Sequence, residues 1–308
     1  MVPGQPQQHG RGFLSMSTYT WPDGARAVVL LTVNFDAESF DLKEVPPERM
    51  FGRYSYGRYG IRAGFPRLVA LLKKHAVPAT FFVPGTDARR NPGLIRELAG
   101  EGHEVAARGV GLEDFGALGD QEVEVLKASR DILADVVGIA PEGFRAPAGQ
   151  LSSRTLERLA ETGYTYDATF QDADFPYVFG LSGGRKLVEL PSSFALDDAP
   201  IYSARHTHAR LLSIWRDEVA AMHDEGTLIP ITVNLRGDFG STRAARIAVL
   251  DTLLTELRQM AGVRFMTGRQ LAAHTLAQNP SPEPDPYLAH AETLANTVYR
   301  GDLAIRPL

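Results

Sequence analysis

The chain has 308 residues, with 32 lysines and arginines against 37 aspartates and glutamates, a net charge of −5, and no cysteine. At about 100–200 residues per domain this is one large or two ordinary domains, and 44% apolar with 22% charged residues gives a globular protein ample core. The missing cysteine excludes disulfides, thiolate metal sites, iron–sulfur clusters and a cysteine nucleophile, the acidic balance argues against nucleic acid, and no apolar run approaches the ~20 residues of a membrane span.

Residues 1–24, rich in Gly, Gln and Pro, read as a mobile lead-in with no apolar core of a secretory signal, and Met16 is a candidate natural start. AVVLLTVNF, from Ala27, is nearly all apolar and β-branched, the pattern of a strand buried on both faces. Asp36, Ala37, Glu38 and Ser39 follow at its C-terminal end. A long irregular stretch comes next, with Pro46, Pro47, Gly52, Gly57 and Gly60 among Tyr54, Tyr56 and Tyr59, and its length points to function. Pro66 opens a helix whose apolar stripe is Leu68, Val69, Leu71 and Leu72. ATFFV at 79–83 reads as a second buried strand, 92–101 as a short helix, and 103–107 as a third strand.

Asp120 is read as the cap of a helix carrying Val123, Leu126, Leu133 and Val136. A short strand is expected at 143–145, then a helix capped by Ser152 or Ser153 and stopped by Gly163. LVEL at 187–190 and LIPITVN at 228–234 are strands flanking a helix with Leu211, Leu212, Ile214, Trp215 and Val219. Residues 241–261 form the last long helix and 263–266 the last strand. About seven β–α units in series favour a parallel barrel over an open sheet. From 276 the chain becomes a Pro-rich linker, NPSPEPDPY, with a C-terminal extension to 308. The expected division is therefore 1–24, 25–275 and 276–308.

ATFFVPG at 79–85, GHEVAA at 102–107, GFRAPAGQLS at 143–152, YDATFQDADFPY at 166–177 and LVELPSSFALDDAP at 187–200 resemble landmarks of one family. That family is the polysaccharide deacetylase (NodB-homology, carbohydrate esterase family four) superfamily. The resemblance runs from about Ala27 to Leu271. It is nearest to the subgroup with a D-x-D-A-E first motif, which includes peptidoglycan deacetylase-like and allantoinase-like members. It implies an α/β fold, a distorted (β/α)7 barrel of the NodB type. It also implies metal-assisted amide hydrolysis: one Asp and two His hold a divalent ion, a second Asp is the base, and a distant His is the acid.

Carried onto this sequence, Asp36 in VNFDAES falls at the ligand Asp. Asn34 stands at the base position, where an amide accepts no proton at neutral pH. Arg108 and Leu112 in RGVGL occupy the two His positions, and neither can ligate an ion. Asn234 in TVNLRGD stands at the acid position. Arg145 in RAP and Asp167 in YDATF are retained. Loss of base, ligands and acid together implies that the metal mechanism is gone, and no cofactor is expected.

Arg108 is expected to face Asp36 and supply part of the missing charge. The pair is either an inert buried ion pair or a cation presented to a carboxylate, an enolate or a polarised carbonyl. Glu38 reads as a general acid or base, or as support for Arg62 or Arg108, pointing with Asp36 if the strand continues. His206 and His208 alternate onto one face, a surface pair with one ring reaching the cleft. His103 shapes a turn, and His75 and His223 lie late in helices. Asp172, Asp174, Asp197 and Asp198 lack calcium-loop spacing and read as pocket wall. Tyr54, Tyr56, Tyr59, Phe175, Tyr177 and Trp215 either line an aromatic cleft or belong to the core. The candidate catalytic set is Asp36, Glu38, Arg108, Arg145 and Asn234. Candidate substrate contacts are Asn34, Tyr59, Asp167, Asp174, Tyr177, His206, His208 and Trp215, and no metal ligand is assigned.

Three functions stay open. The favoured one is a metal-independent acid/base enzyme on a small metabolite. It would dehydrate, cyclise or hydrolyse an amide- or carbonyl-containing compound, for example in natural-product biosynthesis. Elimination and ring closure need only proton transfers and a shaped pocket, and the allantoinase-like branch is a precedent for working without metal. The alternatives are a metal-dependent deacetylase with unorthodox ligands and a catalytically silent binding protein. The expected partner is a small-molecule substrate, with neither nucleic acid nor membrane, in a cytoplasmic protein for which a homo-oligomer is open.

Overall fold

The structure, a computed structural model, describes residues 19–278 and 280–282. Its strands are β1 (Ala27–Asn34), β2 (Thr80–Val83), β3 (Glu104–Ala107), β4 (Gly143–Phe144), β5 (Tyr166–Asp167), β6 (Tyr177–Gly180), β7 (Lys186–Glu189), β8 (Leu228–Asn234) and β9 (Val263–Phe265). They form one sheet in the order β6-β7-β5-β4-β3-β2-β1-β8, with β9 paired to the start of β1. Every pairing is parallel except β6 with β7. The sheet curls into a half barrel. Loops bridge its two ends: Leu228 N donates to Asp174 O at 3.0 Å, and Thr232 N donates to Leu196 O at 2.9 Å. Asp197 also forms a parallel bridge with Thr232.

The helices are α1 (Glu38–Glu44), α2 (Tyr56–Tyr59), α3 (Phe65–His75), α4 (Gly85–Arg90), α5 (Pro92–Gly100), α6 (Glu122–Val137), α7 (Thr155–Glu161), α8 (Asp198–Ser203), α9 (His208–Glu225), α10 (Ala244–Gln259) and α11 (Gly268–Ala277). Among the described residues none is long and apolar enough to cross a membrane. Side chains alternate across a strand, so β1 divides its buried residues between two cores. Val29, Leu31 and Val33 pack outward with Leu68 and Leu72 of α3. Val28 and Leu30 pack inward with Phe82, Ala106 and Tyr166. Burial of each such large aliphatic side chain contributes ~1.5–3 kcal/mol. The inward series then turns polar, through Thr32 to Asn34, at the C-terminal end of the strand. β8 repeats the change in register, with Thr232 opposite Thr32 and Asn234 opposite Asn34. The polar end of the barrel is thus written into two strands by period-two alternation.

Several expectations need correction. The long stretch before Pro66 is not irregular: it holds α1, α2 and a π turn at Gly60–Gly64. Asp120 caps nothing; it lies in a single turn before α6, fully exposed, 3.6 Å from Arg158. Ser152 does not cap α7 directly, although its Oγ accepts from Arg154 N at 3.2 Å, and Gly163 does follow the helix with a left-handed φ of +89°. The lead-in does not run to 24. Trp21 is buried, and its Nε1 donates to Gly226 O at 2.7 Å. α11 carries the fold past 275 to Ala277. Residues 1–18 of the expected lead-in and 283–308 of the expected extension lie outside the described residues.

Candidate active site

The polar ends of β1 and β8 are stitched together by their side chains. Thr32 Oγ1 lies 3.0 Å from Thr232 Oγ1, and Asn34 Nδ2 donates to Asn234 Oδ1 at 3.1 Å. Asn234 in turn donates through Nδ2 to Asp197 Oδ1 at 2.9 Å and to Asp198 Oδ1 at 2.7 Å. Its backbone N also donates to Asp198 Oδ1, at 3.0 Å. Neither asparagine is a proton carrier here; both are rungs of a hydrogen-bonded ladder that fixes Asp197 and Asp198.

Asp36 follows β1 and Arg108 follows β3, and the two strands place them face to face. Arg108 Nε donates to Asp36 Oδ1 at 2.6 Å and Nη2 donates to Asp36 Oδ2 at 2.9 Å. This is the bidentate fork that only an arginine makes. The pair is 5% and 7% exposed. A third, weaker bond runs from Arg108 Nη1 to Ala146 O at 3.4 Å. Of its five N–H groups, two stay uncommitted among the described residues. Asp36 is also framed from behind by Asp87, which accepts from Ala37 N at 3.1 Å and from Ser39 N at 3.2 Å. Burial pushes Asp87 up to about 7.

Arg145 follows β4 and is 6% exposed. Its Nε donates to Ala168 O at 2.8 Å, and its Nη1 donates to Thr32 Oγ1 at 2.9 Å and Asn34 Oδ1 at 3.3 Å. The Phe82 ring covers one face of the guanidinium at 4.2 Å. Burial, with the nearby Arg108 charge, lowers Arg145 to about 10, so it remains a cation at neutral pH.

These groups surround a cavity of about 180 Å³ at the polar end of the half barrel. Asn34, Arg108, Arg145, Thr169 and Asp197 give it most of its chemistry, and Ser192 and Ser193 open it to an adjoining cavity of about 480 Å³. Asp197 is raised by burial, although Arg145 and Arg108 pull it back. Its neighbour Asp198 is pushed up to about 8 by burial and by the Asp197 charge. Burial and the Asp197 charge thus favour the protonated form of Asp198, and of the two carboxyls Asp197 is the one that lines the cavity.

The other predicted site residues divide. Asp174 lines the adjoining cavity, as a pocket-wall residue should. Asp167 is fully buried beside Glu189; burial raises both carboxyls, and the Asp167 charge raises Glu189 further, while Asp167 Oδ1 accepts from Thr169 Oγ1 at 2.8 Å. It supports the cavity wall from behind and does not reach the cavity. Glu38 is not in the cavity either. The strand stops at Asn34, and Glu38 opens α1, 3.6 Å from Arg58 and 3.3 Å from Arg90 rather than at Arg62 or Arg108. Tyr59 accepts from Arg67 at 2.6 Å and lies under Arg243. Tyr177 donates to Asp172 at 3.1 Å. His206 and His208 are exposed, the latter edge-on to Tyr202 at 5.8 Å. Trp215 is core, with no exposed surface. Thr169, Ser192 and Ser193 were not singled out from the sequence, although YDATF and LVELPSSF contain them.

The implied divalent ion does not fit this donor set. Among the described residues no three His, Asp or Glu side chains gather as metal ligands. Both oxygens of Asp36 are bound by a guanidinium, and Leu112, at the second expected His, is a buried aliphatic side chain with φ +65°.

Residues 54–166 match the family model for polysaccharide deacetylase. A peptidoglycan deacetylase of Helicobacter pylori is 26% identical over 259 residues, spanning 73% of this chain and 88% of that protein. The crystal structure of a Mycobacterium smegmatis protein assigned to the polysaccharide deacetylases superposes with a TM-score of 0.80 at 38% identity, covering 86% of this chain and 95% of that one. An allantoinase superposes with a TM-score of 0.76 at 23% identity over 85% of this chain and 94% of its own, which is a likeness of fold. The curled parallel sheet, the motif positions and these matches agree, and the chain belongs to the polysaccharide deacetylase family.

Proposed function

We propose that this family member is a metal-independent acid/base enzyme acting on a small amide- or carbonyl-containing metabolite. The observation that carries this reading is the Asp36–Arg108 fork, where the family's metal ligands are expected. The fork leaves a fixed guanidinium with two spare N–H groups on the wall of a small, polar cavity. A donor aimed at developing negative charge in a water-poor site does part of the work of a Lewis acid and needs no reorganisation. Asp197 supplies the proton chemistry in place of Asp36, whose two oxygens are engaged. It takes a proton from the substrate while Arg108 receives the charge that develops on the carbonyl oxygen, then returns a proton to the leaving group. The two cavities suit a small ligand better than a long polymer, because the inner one holds only about 180 Å³.

The test is turnover by the full chain after EDTA treatment. Hydroxy acids, lactams and cyclic ureides are offered, and products are read by mass. The expected result is turnover that EDTA leaves unchanged and that Asp197→Asn reduces by roughly 10²–10⁴-fold. Turnover that appears only with added zinc, or full turnover in Asp197→Asn, would contradict the proposal.

A further inference from the structure

The two guanidiniums of the cavity differ in one respect. Arg108 is neutralised by Asp36, whereas Arg145 makes no ion pair among the described residues. All three of its hydrogen-bond acceptors are uncharged oxygens, of Ala168, Thr32 and Asn34. Its Nη2 has no acceptor among the described residues, and the residue is 6% exposed on the cavity wall. A buried cation is ordinarily paired, because an uncompensated charge is costly to hold away from water. The one carboxylate on the wall, Asp197, is not within ion-pair distance and already accepts from Asn234 Nδ2 and Ala199 N, both at 2.9 Å. The pairing is thus incomplete among the described residues.

We infer that the cavity takes an organic anion, a small carboxylate, whose carboxylate group seats against Arg145 Nη2 with the hydroxyl of Ser193 beside it. This rests on the same cavity as the proposed activity and names its substrate class: the carbonyl compound carries a separate carboxylate. A monoanion fits better than a phosphate, because the Asp197 charge repels a dianion more strongly, and the inner cavity is small.

The probes are oxamate and oxamide, of nearly the same shape and differing by one negative charge, titrated calorimetrically into the full chain. Oxamate is expected to bind more tightly by roughly 10–100-fold, the span of one charge-assisted hydrogen bond. Folded Arg145→Met should lose that preference. If Arg145→Met does not fold, Asp197→Asn takes its place: removal of the opposing charge should tighten oxamate and widen its preference over oxamide. Equal affinities in the natural chain, no binding of either probe, a preference that survives in folded Arg145→Met, or an oxamate affinity unmoved by Asp197→Asn would each overturn the inference. Orthophosphate binding more tightly than oxamate would overturn its assignment to a carboxylate. Binding is read without turnover, so the two proposals fail separately. Oxamate binding with no turnover of any carbonyl compound removes the enzymatic reading alone. Turnover of a neutral compound without an oxamate preference removes this inference alone.

Discussion

Asp36→Asn and Arg108→Lys separate what the fork does for the fold from what it does for chemistry. Asp36→Asn leaves a buried guanidinium without its carboxylate, and loss of one partner of such a pair costs about 3–5 kcal/mol. Arg108→Lys keeps the positive charge but not the planar fork. It should melt less early than Asp36→Asn and still lose ~10²–10³ in turnover, the usual cost of one well-placed electrostatic donor. Melting temperature and turnover, measured on both variants, decide this. Full specific activity in folded Arg108→Lys would make the pair purely structural. At this scale the sequence was partly legible. Asp36 opposite Arg108 followed from motif positions alone, as did Arg145 on the cavity wall. Asp197 was legible only as pocket wall. Its proposed role depends on β8 bringing Asn234 to it and on the burial of Asp198, and both are long-range facts. Glu38 failed because its argument needed the strand to continue, and the chain turns into α1 instead.

At the element scale, the end of β8 turns within a few residues, and Gly240 makes the turn possible. A Cβ at this position would overlap the carbonyl oxygens of Asn234 and Arg236, while its N donates to Arg236 O at 3.1 Å. Gly240→Ala should therefore destabilise by ~1–3 kcal/mol or more, the usual cost of overpacking a closed site, and should weaken oxamate binding by loosening Asn234. A denaturation midpoint equal to that of the natural chain would contradict this. The long buried strands were readable from their apolar runs, and β1, β2 and β8 fall close to their expected bounds. The shorter elements were not. β5 is Tyr166–Asp167 and β6 is Tyr177–Gly180, and runs that short carry little periodicity. α11 carries a local signal of its own: Thr267 and Gln270, three residues apart, form a capping box.

At the scale of the whole molecule, buried carboxyls set the response to pH. Asp198 is pushed up to about 8, Asp87 to about 7 and Asp167 to about 6, and burial raises Glu104 and Glu189 as well. In the unfolded chain these groups titrate near 4. Between that value and the folded one the native state holds more protons, so stability falls as pH rises. His103, lowered by burial, acts in the opposite sense, but it is one group against several. The melting temperature should be higher at about pH 5.5 than at about pH 8. A higher value at the alkaline end would mean that these carboxyls are ionised in the folded protein. The barrel class and its polar end were legible from motif order, because the family landmarks fall at successive strand ends. That the barrel is half open, with loops bridging β7 to β8, was not legible. It rests on hydrogen bonds between segments such as Asp174 and Leu228, which share no local pattern.

The central claim is that an arginine fork has replaced the metal of this family. Calorimetric titration of zinc into the full chain, repeated with Asp36→Asn, tests it most directly. The fork predicts no stoichiometric zinc site that depends on Asp36, because both carboxylate oxygens are held by Arg108. One zinc ion per chain, bound by the natural protein and lost in Asp36→Asn, would contradict the account and restore the metal-dependent deacetylase.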